Sequence, residues 1–104
     1  MTFKVITNPE FTHTVTVDVP VDGGFEEQTL LARFRFVPPG ELAGMNGRDY
    51  ADAVLVSLDD LADAEGTAIP YSAAVREECL GLPWVVLGLV RGYNAALLKA
   101  RLGN

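Results

Sequence analysis

The fold is decided by residues 12–21, THTVTVDVPV, and by the turn that follows them. His13 and every second residue up to Val21 lie on one side of this run, and four of those five residues are valines. Alternation with a period of two, built from β-branched residues, predicts a strand with one buried face. Pro20 has no N–H to donate, so we expect this strand to lie at a sheet edge or to end there.

The turn is Asp22-Gly23-Gly24, the strongest turn signal in the sequence, and FEEQTLLARFRF follows it at residues 25–36. Apolar residues and arginines alternate at the end of this second run. The two runs predict an antiparallel β-hairpin over about residues 12–36. An isolated hairpin is only marginally stable in water, so its apolar face needs a cover. FKVIT at residues 3–7 could add a short third strand or pack as an arm.

Helices follow the hairpin. Pro38-Pro39-Gly40 ends the β region, and residues 41–46 predict a helical turn. From residue 48 to about residue 59 the apolar positions recur every three or four residues, which predicts an amphipathic helix. These positions are Tyr50, Val54, Leu58 and Leu61.

Two more helices complete the chain. A turn at residues 63–67 precedes a helix at 73–80, for which Ser72 is the predicted N-cap and Gly81 the end. Proline favours the first turn of a helix, so the last helix should run from residue 83 to about residue 101. We therefore expect a single α+β domain over residues 1–104, with the N-terminal hairpin packed against three to four C-terminal helices.

The charge of the chain is unevenly distributed. Its 104 residues carry a net charge of −6, with 49% hydrophobic residues, a composition typical of a globular domain. All 14 acids and five of the eight bases lie in residues 1–82, whereas residues 83–104 contain three bases and no acid. Arg33 and Arg35 alone make too small a basic patch for phosphate binding, so we expect no nucleic-acid partner.

Residues 1–11 contain no apolar run of signal-peptide length, and the single Cys79 cannot form an internal disulfide. The longest apolar stretch, LGLPWVVLGLV at residues 80–90, is interrupted by Pro83 and is far shorter than the about 20 residues of a spanning helix. We expect a cytoplasmic protein with no membrane partner.

Motifs for catalysis, metals or cofactors are missing from the sequence. His13 is the only histidine, and it shares its strand face with valines. The acidic series from Asp59 to Glu65 does not fit a calcium loop, because the sixth residue counted from Asp63 is Ala68, not glycine. Cys79 has no second thiol or base beside it in sequence, so it should behave as a small apolar residue. We expect a non-enzyme without a cofactor or metal.

The last helix offers two faces. Trp84, Leu87 and Arg91 are spaced three and four residues apart, and we expect this face to bind a partner helix. The other face should belong to the core, although the spacing also fits the reverse assignment. Its residues are Val86, Val90, Tyr93 and Leu97.

An ordered set of motifs resembles the phage tail assembly chaperones of long-tailed phages and prophages. It consists of a hairpin ending in alternating Phe and Arg, an acidic turn of the form D-x-E-G-x-x-I-P-Y-S, the segment L-x-L-P-W-V, and the segment R-G-Y-N-A-A-L in an apolar helix. The resemblance covers residues 3–98. The matching residues are Phe34, Arg35, Asp63, Glu65, Gly66, Pro70, Tyr71, Ser72, Leu80, Pro83, Trp84, Val85, Arg91 and Tyr93.

The resemblance implies a non-catalytic protein that binds the tape measure protein, keeps it soluble and helps to bring the major tail protein to it. Such a chaperone acts in the host bacterial cytoplasm and is not expected in the finished virion. Two alternatives remain open: a structural tail or tail-completion subunit that stays in the particle, and an acidic bacterial adaptor or antitoxin-like binding protein.

Overall fold

The hairpin is the longest element of the computed structural model, which describes residues 2–98. Strand β1 (Glu10–Val21) pairs with the antiparallel strand β2 (Gly24–Arg35) along their whole length. The two-residue turn Asp22-Gly23 joins them, and Gly23 has φ = 81°, a conformation that glycine adopts at little cost. The predicted hairpin is confirmed.

Burial along β1 follows the predicted alternation and then fades towards the turn. Val15 and Val17 are buried, Val19 is half-buried and Val21 is exposed. His13 lies half-buried on the same face, at the opposite end of the strand. The last third of the hairpin therefore extends past the cover of the helices.

The sheet has a third strand, β3 (Leu55–Asp59), which pairs with β2 and gives the order β1-β2-β3. The prediction of one helix over residues 48–59 was wrong, because the helix ends at Val54. Leu58 pairs with Ala32 and Leu55 with Phe34, so a β-bulge leaves Val56 without a partner. The bulge puts Leu55 and Leu58 on one buried face although they are three residues apart. This spacing is the one expected of a helix.

Residues 3–7, for which the sequence allowed either a short third strand or an arm, form no strand, and Phe3, Val5 and Ile6 are exposed. Only one backbone hydrogen bond extends the hairpin ladder in this direction, from Phe36 N to Pro9 O at 3.0 Å. The third strand of the sheet is thus β3, which comes from a part of the chain that was predicted to be helical.

The helices pack on one side of the hairpin. Their bounds are α1 (Pro39–Leu42), α2 (Gly47–Val54), α3 (Ala73–Leu80) and α4 (Pro83–Leu98), and a second, two-stranded sheet is formed by β4 (Leu61–Ala62) and β5 (Ala68–Ile69). The α+β class and the hairpin-and-helices architecture are confirmed. The predicted end of α4 near Arg101 lies outside the described residues.

Local capping explains several of these bounds. The predicted helical turn at residues 41–46 ends earlier, at Leu42, and Gly44 follows with φ = 82°. Asn46 belongs to the next helix, because its side chain accepts a hydrogen bond from Asp49 N at 2.8 Å and caps the start of α2. Ser72 caps α3 as predicted, by accepting from Val75 N at 3.2 Å.

The predicted turn at residues 63–67 joins β4 to β5. The carboxylate of Asp63 accepts hydrogen bonds from the backbone N–H groups of Glu65 and Thr67, each at 3.0 Å. Gly66 has φ = 84°, so this position also favours glycine.

Helix α4 lies against β1 and buries Val85, Leu89 and Tyr93, one residue per turn. The core positions predicted on α4 were only partly right. Tyr93 is buried, but Val86 and Val90 are half-buried and Leu97 is 39% exposed. The buried stripe thus lies about one residue away from the predicted one, on a helix that is apolar on most sides.

Arg76 of α3 holds the junction between α2 and β3. Its Nη2 donates to the Asp52 carboxylate at 2.8 Å and to the carbonyls of Asp52 and Leu55 at 3.0 and 3.1 Å. Its Nη1 donates to the Tyr71 hydroxyl at 3.1 Å. Burial lowers the pKa of Arg76, but the hydrogen bonds with Tyr71 and Asp52 outweigh this effect and raise it above its ordinary value. The guanidinium therefore stays charged and joins three segments of the chain.

Four aromatic rings close the end of the core near residue 37. The Tyr93 ring lies 5.6 Å from the Phe34 ring and 6.1 Å from the rings of both Phe11 and Tyr50, measured between centroids. The Tyr93 hydroxyl accepts a hydrogen bond from Val37 N at 3.1 Å and lies 3.4 Å from Val37 O. Burial raises the pKa of Tyr93, so the neutral hydroxyl is the form that serves this contact.

Replacing Tyr93 with phenylalanine should lower the free energy of unfolding by about 1–2 kcal/mol, because the N–H of Val37 loses its partner in a partly buried place. Urea unfolding measures the loss. Tyr50→Phe is the matched control, since the Tyr50 hydroxyl contacts only the exposed Asn94 side chain, at 3.3–3.5 Å. An equal loss in both variants would show that the contact with Val37 contributes no more than the exposed contact with Asn94.

Candidate partner-binding surface

Trp84, Leu87 and Arg91, the three residues predicted to bind a partner, line one recess in the structure. Pro83 starts α4, so Trp84 lies in its first turn and the other two follow at intervals of three and four residues. The recess has a volume of about 270 Å³. We call it the hairpin–helix recess; its lining consists of Thr16, Asp18, Phe25, Trp84, Leu87, Gly88 and Arg91.

Three large apolar side chains on the rim of the hairpin–helix recess are accessible to solvent. Phe25 is 72% exposed at the hairpin turn, Leu87 is 49% exposed on α4, and Trp84 is half-buried between the core and solvent. Exposed apolar side chains that lie together, not singly, are typical of an interaction site. Tryptophan is also one of the residues enriched at the energetic centres of interfaces.

Gly88 brings α4 and β1 close enough to form this recess. A Cβ atom at position 88 would lie 2.8 Å from the backbone oxygen of Thr16 and 3.1 Å from a methyl group of Val17. A Cβ at Gly92, one turn later, would meet a methyl group of Val15, also at 2.8 Å. The two glycines therefore allow α4 to approach β1 of the same chain closely.

Arg91 brings a positive charge into an acidic region. It lines a further recess together with Asp18 and Glu27 of the hairpin. The ion pairs among residues 2–98 are Arg33–Glu10, Arg48–Glu77 and Arg76–Asp52, so Arg91 belongs to none of them. Its guanidinium is exposed beside the apolar rim and can pair with a carboxylate of a partner.

Leu87 also borders a second recess, on the side of α3. This α3–α4 recess has a volume of about 400 Å³, and Pro83, Val86 and Val90 give it an apolar wall. Leu87 is therefore a ridge between two grooves, and a partner helix lying across α4 could place apolar side chains on both sides of it.

The sequence reasoning missed Phe25. Phe25 follows the hairpin turn directly and is itself followed by Glu26 and Glu27. A large aromatic residue at such a polar position is not expected to serve core packing, and this could have indicated an interaction site. Nothing in the sequence placed this residue beside α4, because the register of the hairpin and the position of the helix on it decide that proximity.

The other side chains that could react or bind a metal ion lie apart from one another. No group of three or more His, Cys, Asp and Glu side chains within residues 2–98 could hold a metal ion. Burial, and then the charge of Glu78, raises the pKa of the Cys79 thiol, so it carries less of the reactive thiolate than a free cysteine. None of the helices over the described range is long and apolar enough to cross a membrane.

Comparisons with protein-family models, with curated proteins and with solved structures found no match to this chain.

Proposed function

We propose that this chain is a non-catalytic phage tail assembly chaperone that binds the tape measure protein, keeps it soluble and assists assembly of the tail tube. The observation that carries the proposal is the hairpin–helix recess, an exposed groove with three large apolar side chains on an acidic domain. A long helical client exposes apolar stripes before it assembles, and a groove bordered by anchors at helical spacing suits such stripes. The net charge of −6 favours solubility of the complex.

The motif residues divide into two groups, and this division supports the proposal. Most of them have a structural task within the chain: Asp63 orders its turn, Ser72 caps α3, and Tyr93 packs in the core. Trp84 and Arg91 differ, because both lie at the recess and the Arg91 side chain makes no hydrogen bond or ion pair with the rest of residues 2–98. A partner would account for the exposed position of both.

Coexpression with the tape measure protein tests the function. We expect the wild-type chain to raise the soluble yield of that protein and to copurify with it. In the variant with Trp84→Ala and Leu87→Asp, affinity should fall at least about tenfold, because an aromatic anchor is lost and a charge enters the apolar rim. Fluorescence anisotropy with labelled fragments of the client measures the affinity.

Leu98→Asp is the matched control, since it introduces the same charge at a residue of α4 that is 41% exposed and lines neither recess beside Leu87. Undiminished binding by the folded double variant would contradict the assignment of this surface. Retention of the chain in purified tails would instead favour the structural-subunit alternative.

A further inference from the structure

Residues 3–7, which we call the arm, contain more exposed large apolar side chains than any other segment of their length in the described chain. Phe3, Val5 and Ile6 are 83%, 80% and 63% exposed. Large apolar side chains grouped in this way seldom stay exposed to water without a partner. The arm contributes nothing to the core of its own domain.

The base of the arm is fixed in place. The N–H of Phe36 donates to the carbonyl of Pro9 at 3.0 Å, one step beyond the last pair of the hairpin, Glu10 with Arg35. The arm therefore starts from a defined position beside Phe36, and a bend at residues 7–8 separates it from β1.

An apolar recess opens at the same end of the molecule. This α1 recess has a volume of about 240 Å³, and Phe36, Leu42, Tyr50 and Leu97 lie in its wall. Phe36 both lines the recess and holds the base of the arm, so the two features are neighbours. In the single chain they do not meet, because the arm stays exposed.

The charges of the arm and of the recess are complementary. Lys4 is the only base in residues 1–32, and it lies between the apolar residues of the arm. Glu41 is exposed on α1, between Pro39 and Leu42 of the recess wall. An arm lying in the recess would bring the two charges to the same rim.

We propose that two copies of this chain exchange arms, so that the arm of each copy lies in the α1 recess of the other. A two-fold arrangement forms every contact twice and covers both the exposed apolar segment and the open recess. The proposal does not depend on the proposed function, because it concerns the end of the domain distant from the hairpin turn.

Sedimentation equilibrium tests the proposed dimer at chain concentrations of about 1–200 µM. An interface of this small size should dissociate within that range. Wild-type protein should change from one to two chains per particle as its concentration rises. The variant Phe3→Ser, Val5→Ser, Ile6→Ser should remain a single chain with an unchanged urea midpoint, because none of these side chains is buried.

A complementation experiment distinguishes arm exchange from non-specific association. Leu97→Asp should also be a single chain, since it places a charge in the recess wall. A mixture of the arm variant and Leu97→Asp should form mixed dimers that are weaker than the wild-type dimer, because one of the two arm–recess contacts is still intact. A wild-type protein that stays monomeric, an arm variant that still dimerises, or a mixture without mixed dimers would each overturn the proposal.

Discussion

Replacing Arg76 with alanine should lower the free energy of unfolding by about 3 kcal/mol. The side chain is only 18% exposed, and its loss removes the donors that serve the Asp52 carboxylate and the carbonyls of Asp52, Leu55 and Val56. Each poorly solvated acceptor left without a donor costs about 1–3 kcal/mol, and solvent entering the junction recovers part of the sum. Urea unfolding followed by fluorescence of Trp84, the only tryptophan, measures the difference.

Two further variants serve as comparisons for Arg76→Ala. Arg76→Lys keeps the charge but has no planar fork, so we expect it to recover less than half of the loss. Arg48→Ala removes the ion pair with Glu77, whose two side chains are 45% and 66% exposed, and should cost less than about 1 kcal/mol. Equal losses for the two arginine-to-alanine variants would show that the Arg76 contacts are worth no more than a surface ion pair.

Gly88→Ala should lower the free energy of unfolding by about 2 kcal/mol, although alanine is the better helix former by about 1 kcal/mol. The new Cβ would lie 2.8 Å from the carbonyl oxygen of Thr16, which belongs to the ladder of β1 and cannot move alone. The helix would have to move away from the sheet and loosen the packing of Leu89 and Val85.

Gly92→Ala is the matched control for this prediction. Its Cβ would be equally close, at 2.8 Å, but to a terminal methyl group of Val15 that a small rotation can displace. We expect a stability within about 1 kcal/mol of wild type, since the gain in helix propensity offsets the adjustment. If Gly88→Ala proved as mild as Gly92→Ala in urea unfolding, the close approach of α4 to the backbone of β1 would not matter energetically.

The sequence predicted those elements whose pattern has a single period. Alternating valines and a two-residue turn were sufficient for the hairpin, and a hydroxyl cap was sufficient for the start of α3. The pattern failed at β3, because the bulge at Val56 gives a strand the spacing of a helix. A local irregularity of this kind depends on the neighbouring strand, and a pattern within one segment cannot show it.

The candidate surface was predictable in part for a similar reason. The spacing of Trp84, Leu87 and Arg91 places them on one side of a helix, and the structure brings them to one recess. The core face of α4 was less accessible to prediction, because apolar residues occupy nearly every position from Val85 to Val90 and no side is clearly polar. The position of the two glycines against β1 decides which residues are buried.

The unsupported end of the hairpin affects how tightly the recess can bind. Beyond Val17 and Leu30 the two strands have little helix cover, so their own ladder is the main support of the wall that carries Phe25. Local opening of such a segment costs far less than global unfolding, and any partner must restrict this motion when it closes on Phe25. The recess thus has one rigid wall, α4, and one compliant wall. If the chain binds the proposed client, the recess would accept successive stretches of differing shape, with a lower affinity for any single one.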